Sequence, residues 1–178
     1  APSESEKMLT EIDLADLRFD QKDYATAAEL YKKYLNVQDG NPPTRKYAQA
    51  IYNLGQYGAL LDWIDTMSPE LRSESLIEQL EAYANLYLGN LDKASQLFKD
   101  LFQKNPNSFQ YVVYYAMCRF RLGKEDDAKG AFDAVKNRVE DAADLITLAG
   151  GYEFIGEWEI AIDLTFKALE NDPNNPKA

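Results

Sequence analysis

The side chains that could do chemistry in this chain are almost all carboxylates. Asp and Glu number 30 against 19 Lys and Arg, and histidine is absent. Three local clusters stand out: Glu125-Asp126-Asp127, Glu140-Asp141, and Glu157 with Glu159. Paired carboxylates can serve as general acid and base when their surroundings push their pKa values apart. A Ca2+ site would need alternating Asp or Asn, a Gly and a distal Glu in one loop, and no such loop occurs. Each cluster falls instead where a helix is expected to start, where negative charge complements the helix dipole. Without histidine, Ser-His-Asp and Cys-His catalysis and imidazole metal ligation are excluded. The single cysteine, Cys118, lies between Met117 and Arg119 with no neighbouring base, and reads as a buried small hydrophobe. One thiol forms neither an intrachain disulfide nor a Cys-rich zinc site. No catalytic, metal or cofactor site is assigned, and the chain is expected not to be an enzyme.

Charge and hydropathy narrow the partners. The chain has 178 residues and a formal charge of −11. Nucleic acid and anionic membrane surfaces both call for clustered positive charge, so neither is expected as the main partner. A hydrophobic content of 46% with 12% aromatic residues belongs to a folded, soluble chain and not to a disordered acidic tail. No apolar run approaches the roughly 18 residues of a membrane span. The lone cysteine fits a reducing compartment, so the reading leans to the cytoplasm, although a secreted protein without disulfides would look the same. The opening Ala-Pro-Ser-Glu-Ser has no Met, as after signal-peptide removal or in a piece of a longer chain.

The elements that position these residues follow from a repeat. Gly55, Gly89, Gly123 and Gly156 recur at spacings of 34, 34 and 33 residues, and one further step back reaches Lys22. Seven residues before these five points stand Ala15, Ala48, Ala82, Ala116 and Ala149. Five after come Ala27, Leu60, Ala94, Ala128 and Ala161, and nine after come Tyr31, Ile64, Phe98, Phe132 and Thr165. Each period holds an amphipathic run, a Gly-centred turn and a second amphipathic run. In the third period the first run is Ser75 to Leu88. Gly89 supplies a left-handed cap, and Ala94, Leu97, Phe98 and Leu101 line a second helix that Asn105-Pro106 ends. Small residues let the two helices cross closely and the aromatic fills the space beside them. One such pair cannot bury its apolar faces alone, so the units must stack.

This pattern resembles the tetratricopeptide repeat family. The fifth repeat carries it best, through Leu148-Ala149, Tyr152, Gly156-Glu157-Trp158, Ala161, Ala168-Leu169 and Asp172-Pro173-Asn174-Asn175. The first has Lys22 where the family prefers glycine. The second has Leu60 in place of a small residue, and Ser68-Pro69 cuts its second helix short. The resemblance implies an all-α fold, a right-handed α-solenoid of about five helix-turn-helix repeats used as a protein–protein interaction scaffold. The expected boundaries are a disordered segment over 1–7 and a single domain over 8–178, with repeats at about 8–40, 41–74, 75–108, 109–141 and 142–175. The last residues, Asn174 to Ala178, read as the start of a further repeat. Ile160, Leu164 and Leu169 on the final helix are then expected to be partly exposed, or else to pack inward. Trp158 is expected to pack.

The resemblance also implies a concave groove lined by the first helix of each repeat. Carried onto this sequence, its partner-binding part falls on Tyr83, Tyr87, Val113, Met117, Arg121, Ile146, Gly150 and Phe154, mostly apolar and aromatic. The Gly150-Gly151 pair would either let a ligand backbone come close or let helices pack tightly. A clamp for a partner's terminal carboxylate, which some relatives build from Lys, Asn and Arg, is missing. Ile12, Asp16, Leu76 and Leu80 stand at its places, and Arg45 with Gln49 is only a partial echo. The expected function is a non-catalytic adaptor that takes a peptide or helix of another protein in this groove. Its acidic rim would favour basic flanks on the ligand. The alternatives are a module that self-associates through its end helices, or an accessory domain of a larger protein.

Overall fold

The computed structural model describes residues 3–174, and among these it contains eleven α-helices and no strand. In chain order they are α1 (Glu4–Asp20) and α2 (Tyr24–Tyr31), then α3 (Pro42–Asn53), α4 (Tyr57–Ile64) and the four-residue α5 (Pro69–Arg72). There follow α6 (Ser75–Tyr87) and α7 (Leu91–Lys104), α8 (Phe109–Arg121) and α9 (Glu125–Asp133), and α10 (Ala142–Phe154) and α11 (Trp158–Asn171). Apart from α5, these are five helix pairs in the predicted repeat frame, an α-solenoid. None of the described helices is long and apolar enough to cross a membrane.

The turn of every pair is left-handed. Gly55, Gly89, Gly123 and Gly156 have φ between 72° and 83°, and Lys22 takes φ 62° at the same place. The geometry is thus kept where the sequence departs from glycine, at the cost of a Cβ in the left-handed region. The alanine column is buried throughout, with Ala15, Ala48, Ala82 and Ala116 wholly inaccessible. So are Ala27, Leu60, Ala94 and Ala128 of the second column.

One expectation is corrected at the N-terminus, and the second repeat adds an element that was not expected. Residues 4–7 are helical, where disorder was expected. Ser3 accepts a hydrogen bond from the Glu6 N–H at 3.2 Å, and the Glu6 carboxylate accepts from the Ser3 N–H at 2.7 Å, a reciprocal capping box. Residues 1 and 2 of that segment lie outside the described residues, as do 175–178 of the expected further repeat. In the second repeat α4 does stop early, but α5 continues its work. Ser68 Oγ donates to the Gln38 carbonyl at 2.6 Å and caps α5 by accepting from the Leu71 N–H at 3.2 Å. Met67 and Leu71 fill the core that the shortened helix leaves. Arg72 then pairs with Asp65 at 2.8 Å and with the nearly buried Glu81 at 2.7 Å, tying α5 to α6.

Two compact units emerge, Ala1–Leu88 and Gly89–Ala178. In the first, α2 packs on α1 and α3, and α6 packs on α3 and α4, over a core that includes Ile51, Leu60, Ile64 and Ile77. In the second, α8 packs on α7, α9 and α10, and α11 packs on α10. Its core includes Phe132, Leu145, Leu148 and Tyr152. Cys118 is wholly buried, and burial pushes its thiol pKa up to about 11, far from reactive.

Candidate partner-binding surface

In the first unit, Tyr83 and Tyr87 of α6 do not stand alone. They meet Tyr52 of α3 at ring-centroid distances of 6.4 and 6.3 Å, and Tyr57, the first residue of α4, lies 5.4 Å from Tyr52. Tyr57 and Tyr87 stack face to face at 4.8 Å, 8° from parallel. Offset stacking of this kind fixes both rings beyond what area burial alone would do. Tyr87 is nevertheless 62% exposed, while Tyr52, Tyr57 and Tyr83 are half-buried. Burial first, and then the neighbouring tyrosines, raises the Tyr52 hydroxyl above its usual pKa, so this phenol stays a neutral donor at physiological pH. The result is a patch of four packed tyrosine rings. Tyr57 was missed by sequence reasoning because it opens a second helix, whereas the groove was sought on first helices.

In the second unit, the expected groove residues divide. Val113 is a core residue and not a surface one: it is 8% exposed and lies against Gly151. One helical turn separates it from Met117, which is half-buried on the same core together with Ile146. Phe154 is 40% exposed and meets Phe120 of α8 edge to face at 5.7 Å. Arg121 and Gly150 are exposed. The two glycines of α10 have opposite roles. A Cβ on Gly151 would fall 2.7 Å from the Phe132 ring, so that position exists for close helix packing. A Cβ on Gly150 would meet nothing within 4 Å.

The polar residues singled out in the sequence serve the fold. Arg45 is held by Glu74 through two hydrogen bonds of 2.7 and 2.6 Å, so the echo of a carboxylate clamp is already occupied. Asp141 caps α10, accepting from the Ala143 N–H at 2.9 Å. Glu125, Asp126 and Asp127 occupy the first turn of α9, where Asp127 also pairs with Arg119 at 3.1 Å. Glu157 precedes α11 and pairs with Lys129.

The final helix brings a further correction. Leu164 is buried and Ile160 half-buried on the core, whereas Trp158, Ile162 and Phe166 are 59%, 54% and 62% exposed. The face of α11 laid on α10 is Ala161, Leu164 and Ala168, and the positions of Trp158, Ile162 and Phe166 lie beside it. Trp158 therefore does not pack as expected. With Glu153, Ala161, Thr165 and Leu169, these three line an open hollow of about 450 Å³.

Comparison with known proteins places the architecture. Residues 112–141 match the family profile described as tetratricopeptide repeat. Within that stretch the chain carries a tetratricopeptide repeat. Solved structures superpose over nearly its whole length. MamA AMB-1 is 17% identical with a TM-score of 0.65, covering 94% of this chain and 93% of that one. A thermophilic tetratricopeptide protein of Thermus thermophilus is 18% identical with a TM-score of 0.63, again over 94% and 93%. A MamA RS-1 double mutant reaches a TM-score of 0.74 at 13% identity, with 100% of both chains covered. At such identities the likeness is one of fold. No curated protein sequence matches the chain.

Proposed function

We propose that this tetratricopeptide-repeat chain is a non-catalytic interaction scaffold whose four-tyrosine patch takes a peptide or helix of a partner protein. The observation that carries the reading is Tyr87, largely exposed yet fixed by its stack on Tyr57. A rigid aromatic side chain loses little entropy on binding and offers both a ring face and a hydroxyl. The groups acting on the Tyr52 hydroxyl are its burial and other tyrosines, with no carboxylate among them. The segment lying on the patch is therefore uncharged at its centre, with proline or aromatic side chains as the natural anchors. The chain's charge of −11 favours basic residues on its flanks. Phe154, Met117, Arg121 and the open backbone at Gly150 offer a second contact area on the other unit.

The test is peptide display against the whole chain, followed by titration of the enriched peptides into Tyr83→Ala and Tyr87→Ala variants. Truncating an anchor should weaken binding by about tenfold or more, with helicity unchanged because both side chains are partly exposed. Equal affinity for both variants and the parent chain would overturn the reading.

A further inference from the structure

The open hollow on α11 has a counterpart inside the same unit that shows how such a face is covered. Counted from the turn glycines Gly89 and Gly156, Ala94, Ser95, Phe98, Lys99 and Phe102 of α7 correspond to Ala161, Ile162, Thr165, Phe166 and Leu169 of α11. On α7 the aromatic positions of this face are covered by α8. Phe98 meets Tyr114 and Tyr111 at 5.1 and 6.5 Å, and Phe102 meets Phe109 at 6.4 Å. On α11 two of these positions are more apolar: Ile162, which faces solvent, stands for the buried Ser95, and Phe166 stands for Lys99, which is exposed on α7 as well. Thr165 presents no obstacle to cover, since its hydroxyl donates to the Ala161 carbonyl of its own helix at 2.9 Å.

Charge repeats the parallel. Asp92 of α7 lies near Arg119 of α8, adding to the Asp127 hydrogen bond that chiefly keeps that guanidinium charged. The α11 residue at the place of Asp92 is Glu159. It continues along one edge of the hollow as an exposed row with Asp163 and Glu170. None of the three has an ion-pair partner among the described residues. The one cation on this helix, Lys167, turns its ammonium to the Val139 carbonyl at 3.4 Å.

We propose that the Trp158–Ile162–Phe166–Leu169 face of α11 is a docking site, separate from the tyrosine patch, for a partner's amphipathic helix. That helix resembles α8: aromatic anchors one turn apart fill the hollow, and an Arg or Lys at its C-terminal end meets Glu159. A second copy of this chain is the poorer fit, because its own α8 is already buried and an identical acidic row would face Glu159, Asp163 and Glu170.

The probe is a stapled helical peptide of residues 107–123 of this chain with Cys118→Ser, added in trans to the full chain and followed by fluorescence anisotropy. Saturable binding is expected, weakened about tenfold or more by Phe166→Ser and by Ile162→Ser and unchanged by Tyr87→Ala. An Arg119→Glu peptide should bind several-fold less well to the parent chain and recover on a Glu159→Lys chain. The variant positions are exposed, so the fold is kept, and circular dichroism verifies it. No saturable binding, or binding indifferent to Phe166→Ser and Ile162→Ser, would overturn the proposal. So would a doubled mass in light scattering that Phe166→Ser abolishes, which would give the face to a second copy. Binding lost with Tyr87→Ala but kept with Phe166→Ser would also overturn it, while leaving the tyrosine patch as a peptide site.

Discussion

The helices α7 and α11 are both 14 residues long, follow the same turn, and bury the same alanine, Ala94 and Ala161. They differ in what lies on their outer flank. In α7 that flank is filled by Phe98, which is wholly buried under α8. In α11 the flank is rimmed by Trp158 and Phe166, both more than half exposed. The difference teaches that a repeat specifies its own turn and its own inner contact, but its outer face is completed by whatever follows it in space. An apolar outer face with no neighbour among the described residues is thus free area, which on α11 we propose is used for binding.

The comparison is most easily broken by truncating one aromatic on each helix. Phe98→Ala should cost about 3–5 kcal/mol, since it empties a filled site. Phe166→Ala should stay within about 0.5 kcal/mol of the parent, as for a surface change. Urea unfolding of both variants measures this, and similar losses in the two would mean that the α11 face is covered. Phe132, the matching residue of α9, supplies a third case. It is sealed by α10 through Gly151, so Gly151→Ala should destabilise by about 1–3 kcal/mol through overpacking. Gly150→Ala next to it should instead stabilise by up to about 1 kcal/mol, the helix-propensity gain with open space for the new methyl. A reversed order in thermal unfolding would contradict the assignment of the two glycines.

Much of this contrast was legible in the residues, and its limits have physical reasons. The period, the five turns and the buried alanines could be read because each reflects a local geometric demand. Even Lys22 was placed correctly, since the spacing and not the residue type marks the turn. The exposed face of α11 was not legible. Trp158, Ile160, Ile162, Leu164, Phe166 and Leu169 surround most of that helix, and periodicity alone cannot choose which side meets α10. Val113 and Met117 show the same limit one turn apart, as the first is core and the second half-buried. The patch around Tyr52 joins α3, α4 and α6, and only packing brings Tyr57 to it. The role of α5 was hidden because Ser68-Pro69 reads as a stop, although Ser68 and Pro69 also make a good helix start.

The smallest expected effect concerns the turns that launch the second helices. Lys22 is the one left-handed residue among them that bears a side chain. Lys22→Gly should stabilise the chain by about 0.5–1 kcal/mol, the relief of Cβ strain less the added freedom of the unfolded chain. A lowered melting temperature would show that the lysine side chain contributes more than its backbone strain costs.

The central claim is that α11 presents an open apolar face where α7 presents a sealed one. The most direct measurement is acrylamide quenching of Trp158 in a Trp63→Phe chain, followed over a wide range of protein concentration. An indole quenched as freely as one in water, at every concentration, is the predicted result. A protected, blue-shifted indole would contradict the claim. Protection that grows with concentration would show that copies of the chain already close the face upon one another.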